Sequence, residues 1–308
     1  MRIPLWPMLF VWQAACAQNF AIAPFQPAQL EALIIDPSLD EISGIASSRR
    51  ADNRYWVHDD SPRPAELQAI DEKGTSLARV RVEGVKAIDW EDIASYTLDG
   101  KPWLLIGDIG DNGGVRKEYS LIAIEEPEWT TGAAPASVKP SWQLRFRYPD
   151  GAHDCEAMAV DPIKREIFLI NKHAPIAIYT LPLGPPAGNQ VTLVASKLAA
   201  LDSIPQPTAS ERAVRFPSAR FGGSPTGMDI DASGRRAIVL TYRDIWLFNR
   251  QVNETWTQAF VRKPQRFPLP PVAQAEAIGF DRQGQSILVS GEILPAPLLK
   301  FDPVREKR

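Results

Sequence analysis

The sequence predicts an all-β fold: a five-bladed β-propeller of four-stranded blades, with the N-terminal strand completing the last blade. Three observations predict it. First, one short phrase recurs: Ile42-Ser43-Gly44-Ile45-Ala46, Trp90-Glu91-Asp92-Ile93-Ala94, Cys155-Glu156-Ala157-Met158-Ala159, Pro225-Thr226-Gly227-Met228-Asp229 and Ala275-Glu276-Ala277-Ile278-Gly279. In each, a polar marker (Ser, Glu, Glu, Thr, Glu) precedes a mostly small residue and then Ile or Met, and the phrase returns every 48 to 70 residues. Fixed-order repeats of that period mean a propeller or a solenoid. Second, each phrase is followed by the same order of turns and strands. Third, the last unit runs out of chain after its third strand, and a spare strand stands at the other end, in Leu30–Asp36. Sharing one blade between the chain ends removes unpaired strand edges, whereas a solenoid needs capping units that the sequence lacks.

The elements follow in order. Each marker strand ends in a polar turn: Ser47–Asn53, Leu98–Pro102, Pro162–Arg165, Asp231–Arg236 and Arg282–Gln285, with the Asp, Asn and Gly that tight reversals use. An apolar second strand comes next, at Tyr55–Val57, Trp103–Ile106, Ile167–Ile170, Ala237–Leu240 and Ser286–Val289. After a polar cluster comes a third, at Glu66–Ile70, Tyr119–Ile124, Ile176–Leu181, Ile245–Phe248 and Pro297–Phe301. Fourth strands are expected at Ser76–Val82, Ser141–Tyr148, Gln190–Lys197 and Thr257–Phe267. Ala199–Gly223 is rich in Pro and Ser, and reads as an inserted loop; a sixth blade hidden there is the competing architecture.

Composition narrows the function classes. A chain of 308 residues, 44% hydrophobic, suffices for one propeller domain over residues 28–304. A net charge of −3 gives no electrostatic case for nucleic acid, and two cysteines cannot make a disulfide framework. Met1-Arg2, the apolar run Ile3–Ala15 and Ala15-Cys16-Ala17 read as a secretory signal peptide over residues 1–17. The run is too short to span a bilayer, and no other segment is long and apolar enough to do so. Cys16 admits a second reading, a lipid-anchored cysteine, although Gln13 stands where such sites usually carry an aliphatic residue. Both readings place the mature chain outside the cytoplasm, periplasmic or secreted, and leave Cys155 as an unpaired, buried thiol.

The markers also locate a site. Small Gly44, Ala157, Gly227 and Ala277 suit strands crowded around an axis, and the large residues after them suit packing between blades. Packing alone does not account for Glu91, Glu156 and Glu276, three carboxylates at equivalent places near one axis. Such groups repel unless cations pair them or protons neutralise them. Fifteen residues past the markers stand His58, Asn171, Thr241 and Gly291, with Gly107 one place late. Up one strand and down the next returns the chain to the same rim, so charges at both places share one mouth. There lie His58-Asp59-Asp60, Asp108 with Asp111-Asn112, Lys172-His173, Arg243 and Glu292.

Two readings of these acids stand side by side. Asp89-Trp90-Glu91-Asp92 with Gly107-Asp108-Ile109-Gly110-Asp111-Asn112 is the richest patch. Oxygen donors on such glycine-bent loops suit Ca²⁺, a hard cation that takes six to eight of them; the candidate ligands are Glu91, Glu156, Glu276, Asp108, Asp111 and Asn112. Alternatively, the acids cap turns and pair with Lys172, Arg243 or Arg116. Asp59, Asp60, Lys172, Arg243 and Glu292 are the candidate ligand-binding residues. His58 and His173 are the candidate catalytic groups, each able to move a proton near neutral pH. The spacing of an H-E-x-x-H zinc site, a G-x-S-x-G nucleophile elbow and a phosphate-binding glycine loop are all missing from the sequence.

Glu41-Ile42-Ser43-Gly44-Ile45, Trp56-Val57-His58-Asp59-Asp60-Ser61, Asp89-Trp90-Glu91-Asp92-Ile93-Ala94 and Gly107-Asp108-Ile109-Gly110-Asp111-Asn112 resemble a group of bacterial exported propeller proteins, most without an assigned activity. More distantly, the marker is similar to those of the SdiA-regulated family and the "esterase-like activity of phytase" family. The resemblance spans roughly residues 38 to 303. It implies a calcium-type propeller, with Glu91, Glu156 and Glu276 as axial ligands or neighbours of one. Ser43 and Thr226 replace Glu in two markers, so the ligand set of a lactonase does not carry over whole. The expected function is an exported propeller with a divalent-metal and small-ligand site at the axial rim, a metal-dependent hydrolase of a phosphoester, lactone or ester. The alternative is a non-catalytic scaffold that binds a protein or a cell-surface polymer.

Overall fold

In the computed structural model, the described residues are 25–304, apart from 61–62, 130–132, 187 and 189–190. The leader-like residues 1–17, with Cys16, lie outside them. The N-terminal strand is β1 (Gln29–Ile34). Blade one follows with β2 (Ile42–Ser47), β3 (Arg54–Asp59), β4 (Glu66–Asp71) and β5 (Ser76–Val82). Blade two holds β6 (Trp90–Leu98), β7 (Lys101–Asp108) and β8 (Tyr119–Glu125); β9 (Ser137–Val138) turns back to lie parallel to β5, and β10 (Trp142–Arg147) closes the blade. Blade three holds β11 (Cys155–Asp161), β12 (Glu166–Asn171) and β13 (Ala177–Pro182). Its β14 (Thr192–Val194) returns parallel to β10, and β15 (Ser196–Ala200) is the outer strand. The helices α1 (Ala209–Arg212) and α2 (Pro217–Arg220) belong to the insert. Blade four holds β16 (Pro225–Ile230), β17 (Arg236–Thr241), β18 (Asp244–Asn249), α3 (Trp256–Phe260) and β19 (Gln265–Pro268). Blade five holds β20 (Ala275–Phe280), β21 (Ile287–Gly291) and β22 (Ala296–Phe301), and β1 completes it by pairing antiparallel with β22.

Five blades and the shared closing blade are therefore as the repeats predict, and no sixth sheet occurs among the described residues. The insert instead forms two single-turn helices, after its first residues extend β15. Two expected fourth strands are corrected. In blade three the outer strand is Ser196–Ala200, because Thr192–Val194 pairs with the preceding blade. In blade four the first part of Thr257–Phe267 is helical: Thr255 and Gln258 form a capping box, and only Gln265–Pro268 continues as strand.

Packing follows from where each strand sits. Second strands such as Leu104–Ile106 and Ile167–Ile170 are apolar throughout because blades cover both of their faces. Five apolar clusters fill the five gaps between blades. Trp56, Trp90 and Ile106 pack between blades one and two; Tyr119, Met158 and Tyr179 between two and three. Phe168, Met228 and Trp256 fill the next gap, then Ile278 and Phe301; Ile45, Ile34 and Leu298 close the ring. Each fully buried side chain of this kind contributes about 1.5–3 kcal/mol. The innermost strands β2, β6, β11, β16 and β20 lie side by side in a closed circuit, with β20 against β2.

Candidate functional site

The marker strands carry a local irregularity at one point each. The ladder slips between residues 42 and 44, 90 and 92, 155 and 157, 225 and 227, and 275 and 277. Every polar marker (Ser43, Glu91, Glu156, Thr226, Glu276) is thus the extra residue of a β-bulge. A bulge leaves its residue out of the ladder and re-aims the side chain, a common device beside binding sites. The residue before each bulge pairs with the end of the second strand: Ile42 with Asp59, Trp90 with Asp108, Cys155 with Asn171, Pro225 with Thr241 and Ala275 with Gly291. Both predicted sets of polar residues therefore open on one rim.

The two hydroxyl markers latch blades together. Ser43 Oγ donates to the Glu91 carbonyl oxygen at 2.8 Å, and Thr226 Oγ1 to that of Ala275 at 2.7 Å. The three glutamates form the mouth. Asp60, Asp89 and Glu91 bring a carboxylate oxygen each within 4.8 Å of one another, and so do Glu91, Asp154 and Glu156. Glu91 Oε1 and Glu156 Oε2 are buried without a hydrogen-bond partner. The other oxygen of Glu156 accepts from the Lys172 ammonium, and Asp154 faces the His173 imidazole at 3.2 Å. Glu276 accepts from the Tyr242 hydroxyl, and Gln274 donates to Glu292.

Electrostatics follow from burial. Removal from water, and then the charge of Glu156, push the Glu91 carboxyl well above its usual range. Burial also raises Glu156, and Lys172 only partly offsets it. Glu292 is pushed up to about 10 by burial and its bond to Glu276, and Asp89 to about 6 by burial and the nearby Asp154 charge. Asp154 differs: burial raises it, but His173 and the Asp111 N–H outweigh that and hold it below the ordinary value. Lys172, although burial opposes its charge, is held protonated by Glu156.

Deeper on the axis, Asp92 spans the ring. Its carboxylate accepts the N–H groups of Ile93, Met158 and Met228, tying blades two, three and four together. It stands where the other blades have Gly44, Ala157, Gly227 and Ala277, so only blade two fills that position with a reaching side chain.

The structure separates the remaining candidates. Asp108 pairs with Arg116 at 2.7 Å and accepts the N–H groups of Ile88 and Asp89; Asp111 accepts those of Val115 and Arg116 and the Tyr119 hydroxyl. Both acids organise the turn after β7 as the internal-pairing reading describes, and Asn112 is exposed beside them. His58 is buried under Gly44, edge-on to Trp90 at 5.8 Å, and burial lowers it to about 4. Asp59 accepts from the Glu41 N–H at 3.3 Å, beside a cavity of about 230 Å³ that His58 and Arg63 also line. His173 is exposed at the mouth. Arg243 anchors the insert through Glu211 at 2.7 Å and borders a cleft of about 660 Å³, lined by Phe216, Tyr242, Leu269, Pro271, Val272 and Ile293 among others.

Sequence reasoning placed Asp89 in the acidic patch without singling it out as a ligand, and passed over Asp154. The signal was present: Asp89-Trp90-Glu91 and Asp154-Cys155-Glu156 repeat an Asp two places before the marker in adjacent blades, and in no others. Cys155, between them in blade three, is a free, buried thiol that burial pushes up to about 12.

No family model and no curated protein matches the chain. Among solved structures, the chain resembles a gluconolactonase from Xanthomonas campestris described as important in glucose secondary metabolic pathways. The likeness covers 85% of this chain and 72% of that one, at 12% identity and a TM-score of 0.46, too distant to carry an inference about activity. No helix among the described residues is long and apolar enough to cross a membrane.

Proposed function

We propose that this chain is an exported propeller whose axial mouth holds a hard divalent cation, calcium by the nature of its donors, and hydrolyses a small ester, lactone or phosphoester bound there. One observation carries the reading. Carboxylates from three blades converge at the mouth, and two of their buried oxygens, Glu91 Oε1 and Glu156 Oε2, have no partner. A buried acceptor without a donor costs about 1–3 kcal/mol and more when charged, so such a pair is retained for something that binds it. An all-oxygen, multiply charged donor set fits Ca²⁺ better than zinc or copper, which favour nitrogen and sulfur. Export is part of the same reading, because weak calcium sites with Kd of about 0.1–1 mM belong to extracellular modules.

When bound, the cation supplies a Lewis acid that polarises the substrate's carbonyl or phosphoryl oxygen. The chain's own residues do the rest. Lys172, held charged by Glu156, places a second positive group beside the carboxylates. His173, exposed and facing Asp154 at 3.2 Å, takes a proton from the attacking water and returns it to the leaving oxygen. That role falls to it rather than to His58, which is buried. The cleft beside Tyr242 and Arg243 receives the part of the substrate that does not react.

The test pairs stability with activity. With Kd of about 0.1 mM, about 10 mM Ca²⁺ stabilises the folded chain by about 2.7 kcal/mol, which raises Tm by several degrees. Wild type should show this rise, Glu91→Gln should lose it, and the same change should abolish hydrolysis of p-nitrophenyl acetate, p-nitrophenyl phosphate or a simple lactone. A melting temperature indifferent to both calcium and chelator removes the cation from the reading. Hydrolysis that survives Glu91→Gln removes the metal-centred chemistry.

A further inference from the structure

We propose that the mouth takes two divalent cations, and that Glu91 is the carboxylate they share. The inference rests on the reading above that the mouth holds a cation at all. It goes further because the five acids do not meet at one point. Asp60, Asp89 and Glu91 form one group and Glu91, Asp154 and Glu156 another, each with ligand oxygens within 4.8 Å of one another. That span is what two oxygens take up on opposite sides of one calcium ion, at about 2.3–2.6 Å each. Only Glu91 belongs to both groups.

Acidic residues alone would not make the case; the unpartnered oxygens do. Glu91 is 2% exposed and Glu156 is 3% exposed, and each uses just one oxygen inside the protein. Glu91 Oε2 accepts from Ser43 Oγ at 3.2 Å, and Oε1 is left over. Glu156 Oε1 holds Lys172, and Oε2 is left over. Each glutamate thus keeps one free oxygen after its structural contact is made, so a cation beside Glu156 need not displace Lys172.

The two positions differ in strength. Among the described residues, no ion pair within 4.0 Å engages Asp89 or Glu91, whereas Lys172 and His173 already face Glu156 and Asp154. The chain also keeps Gly110 against the first group: a Cβ there would stand 2.1 Å from Glu91 Oε1 and 2.7 Å from the Asp89 carboxylate. The Asp60–Asp89–Glu91 position is therefore the tighter. The Glu91–Asp154–Glu156 position fills second, against the repulsion of Lys172 and of the first cation, which the shared carboxylate offsets.

Stoichiometry decides it. The purified chain is stripped with chelator, dialysed, and titrated with Ca²⁺ alone by calorimetry, with elemental analysis of the product. Two equivalents are expected, the first bound at least tenfold more tightly. Asp89→Asn should remove the tighter event and leave one equivalent; Asp154→Asn should remove the weaker. Glu91→Gln should weaken both at least tenfold. Circular dichroism checks that each variant folds, and Asp60→Asn replaces Asp89→Asn if that one does not. One equivalent in wild type, or an Asp154→Asn titration identical to wild type, overturns the shared centre and leaves the single-cation function standing. No binding by wild type overturns both.

Discussion

Gly110 shows how far a site can depend on an atom that is absent. Its φ lies outside the left-handed region, so an alanine there meets no backbone strain. The whole cost would come from the new Cβ, 2.1 Å from Glu91 Oε1 and 2.7 Å from Asp89 Oδ2. Gly110→Ala should therefore move both carboxylates and weaken calcium binding at least tenfold, seen as loss of the calcium-dependent rise in Tm. An alanine variant that calcium stabilises as well as wild type would contradict the placement of the cation between these groups. At this scale the sequence was legible in part. Glu91 and Glu156 stood out because a carboxylate in a crowded repeat position needs a reason. Asp108 and Asp111 looked equally acidic, yet their oxygens are consumed by Arg116, the Tyr119 hydroxyl and local N–H groups, partners that only the folded turn supplies. Asp92 reads as another member of the acidic patch, and its reach across the axis to Met158 and Met228 emerges only once the blades are ring-closed.

Strand order was readable from period and turns, because a propeller repeats one solution to the same packing problem. The outer strands were less so, since their partners are weakly specified by pattern. Thr192–Val194 and Ser137–Val138 each join the preceding blade in parallel, a pairing that no hairpin signal announces. The helix α3 did carry a sign, the Thr255-x-x-Gln258 capping box, and its Trp256 Nε1 reaches Asp161 at 2.8 Å. The outer part of blade three carries a prediction about pH. Asp150, on the segment entering that blade, receives Lys197 Nζ at 2.8 Å from β15, His153 Nε2 at 2.8 Å and the Tyr179 hydroxyl of β13. Slight burial raises its pKa, but these three partners outweigh it and bring it from 3.8 to about 2. A carboxyl depressed by folding stabilises above its unfolded value, and that stability is lost as pH falls through the folded one. Its contribution is thus complete above about pH 4 and gone near pH 2. Asp150→Asn should lower Tm at pH 6 and converge on wild type near pH 2. Curves that stay parallel down to pH 2 would show that these contacts add nothing on folding. Because Asp150 is partly solvent-exposed, the effect should be small, on the scale of a surface ion pair.

The molecule as a whole depends on joining its two ends. The circuit of innermost strands closes through β20 against β2, but the outer edge of blade five closes only because β1 lies along β22. Without β1, the β22 edge would present unpaired N–H and C=O groups to solvent and to other chains. The contribution of β1 can be separated from that of mere chain length by two neighbouring isoleucines. Ile34 ends the strand fully buried, among Ile45, Leu288, Ala296 and Leu298, while Ile35, one residue on, is 71% exposed. Successive side chains of a strand face opposite ways, so these two report the seam and the surface respectively. Ile34→Ala should cost about 2–5 kcal/mol, the range for deleting a buried aliphatic side chain, and lower the denaturant midpoint accordingly. Ile35→Ala should stay within about 0.5 kcal/mol of wild type. Equal effects from the two would mean that the N-terminal strand is not sewn into blade five. Blade five would then end in an open edge at β22, while the innermost circuit would still close through β20 against β2. A cation at the mouth should stabilise the domain at a different place from that seam. Each group of carboxylates joins two neighbouring blades: Asp60 of blade one with Asp89 and Glu91 of blade two, and Glu91 with Asp154 and Glu156 of blade three. A cation holding either group therefore resists separation of those blades.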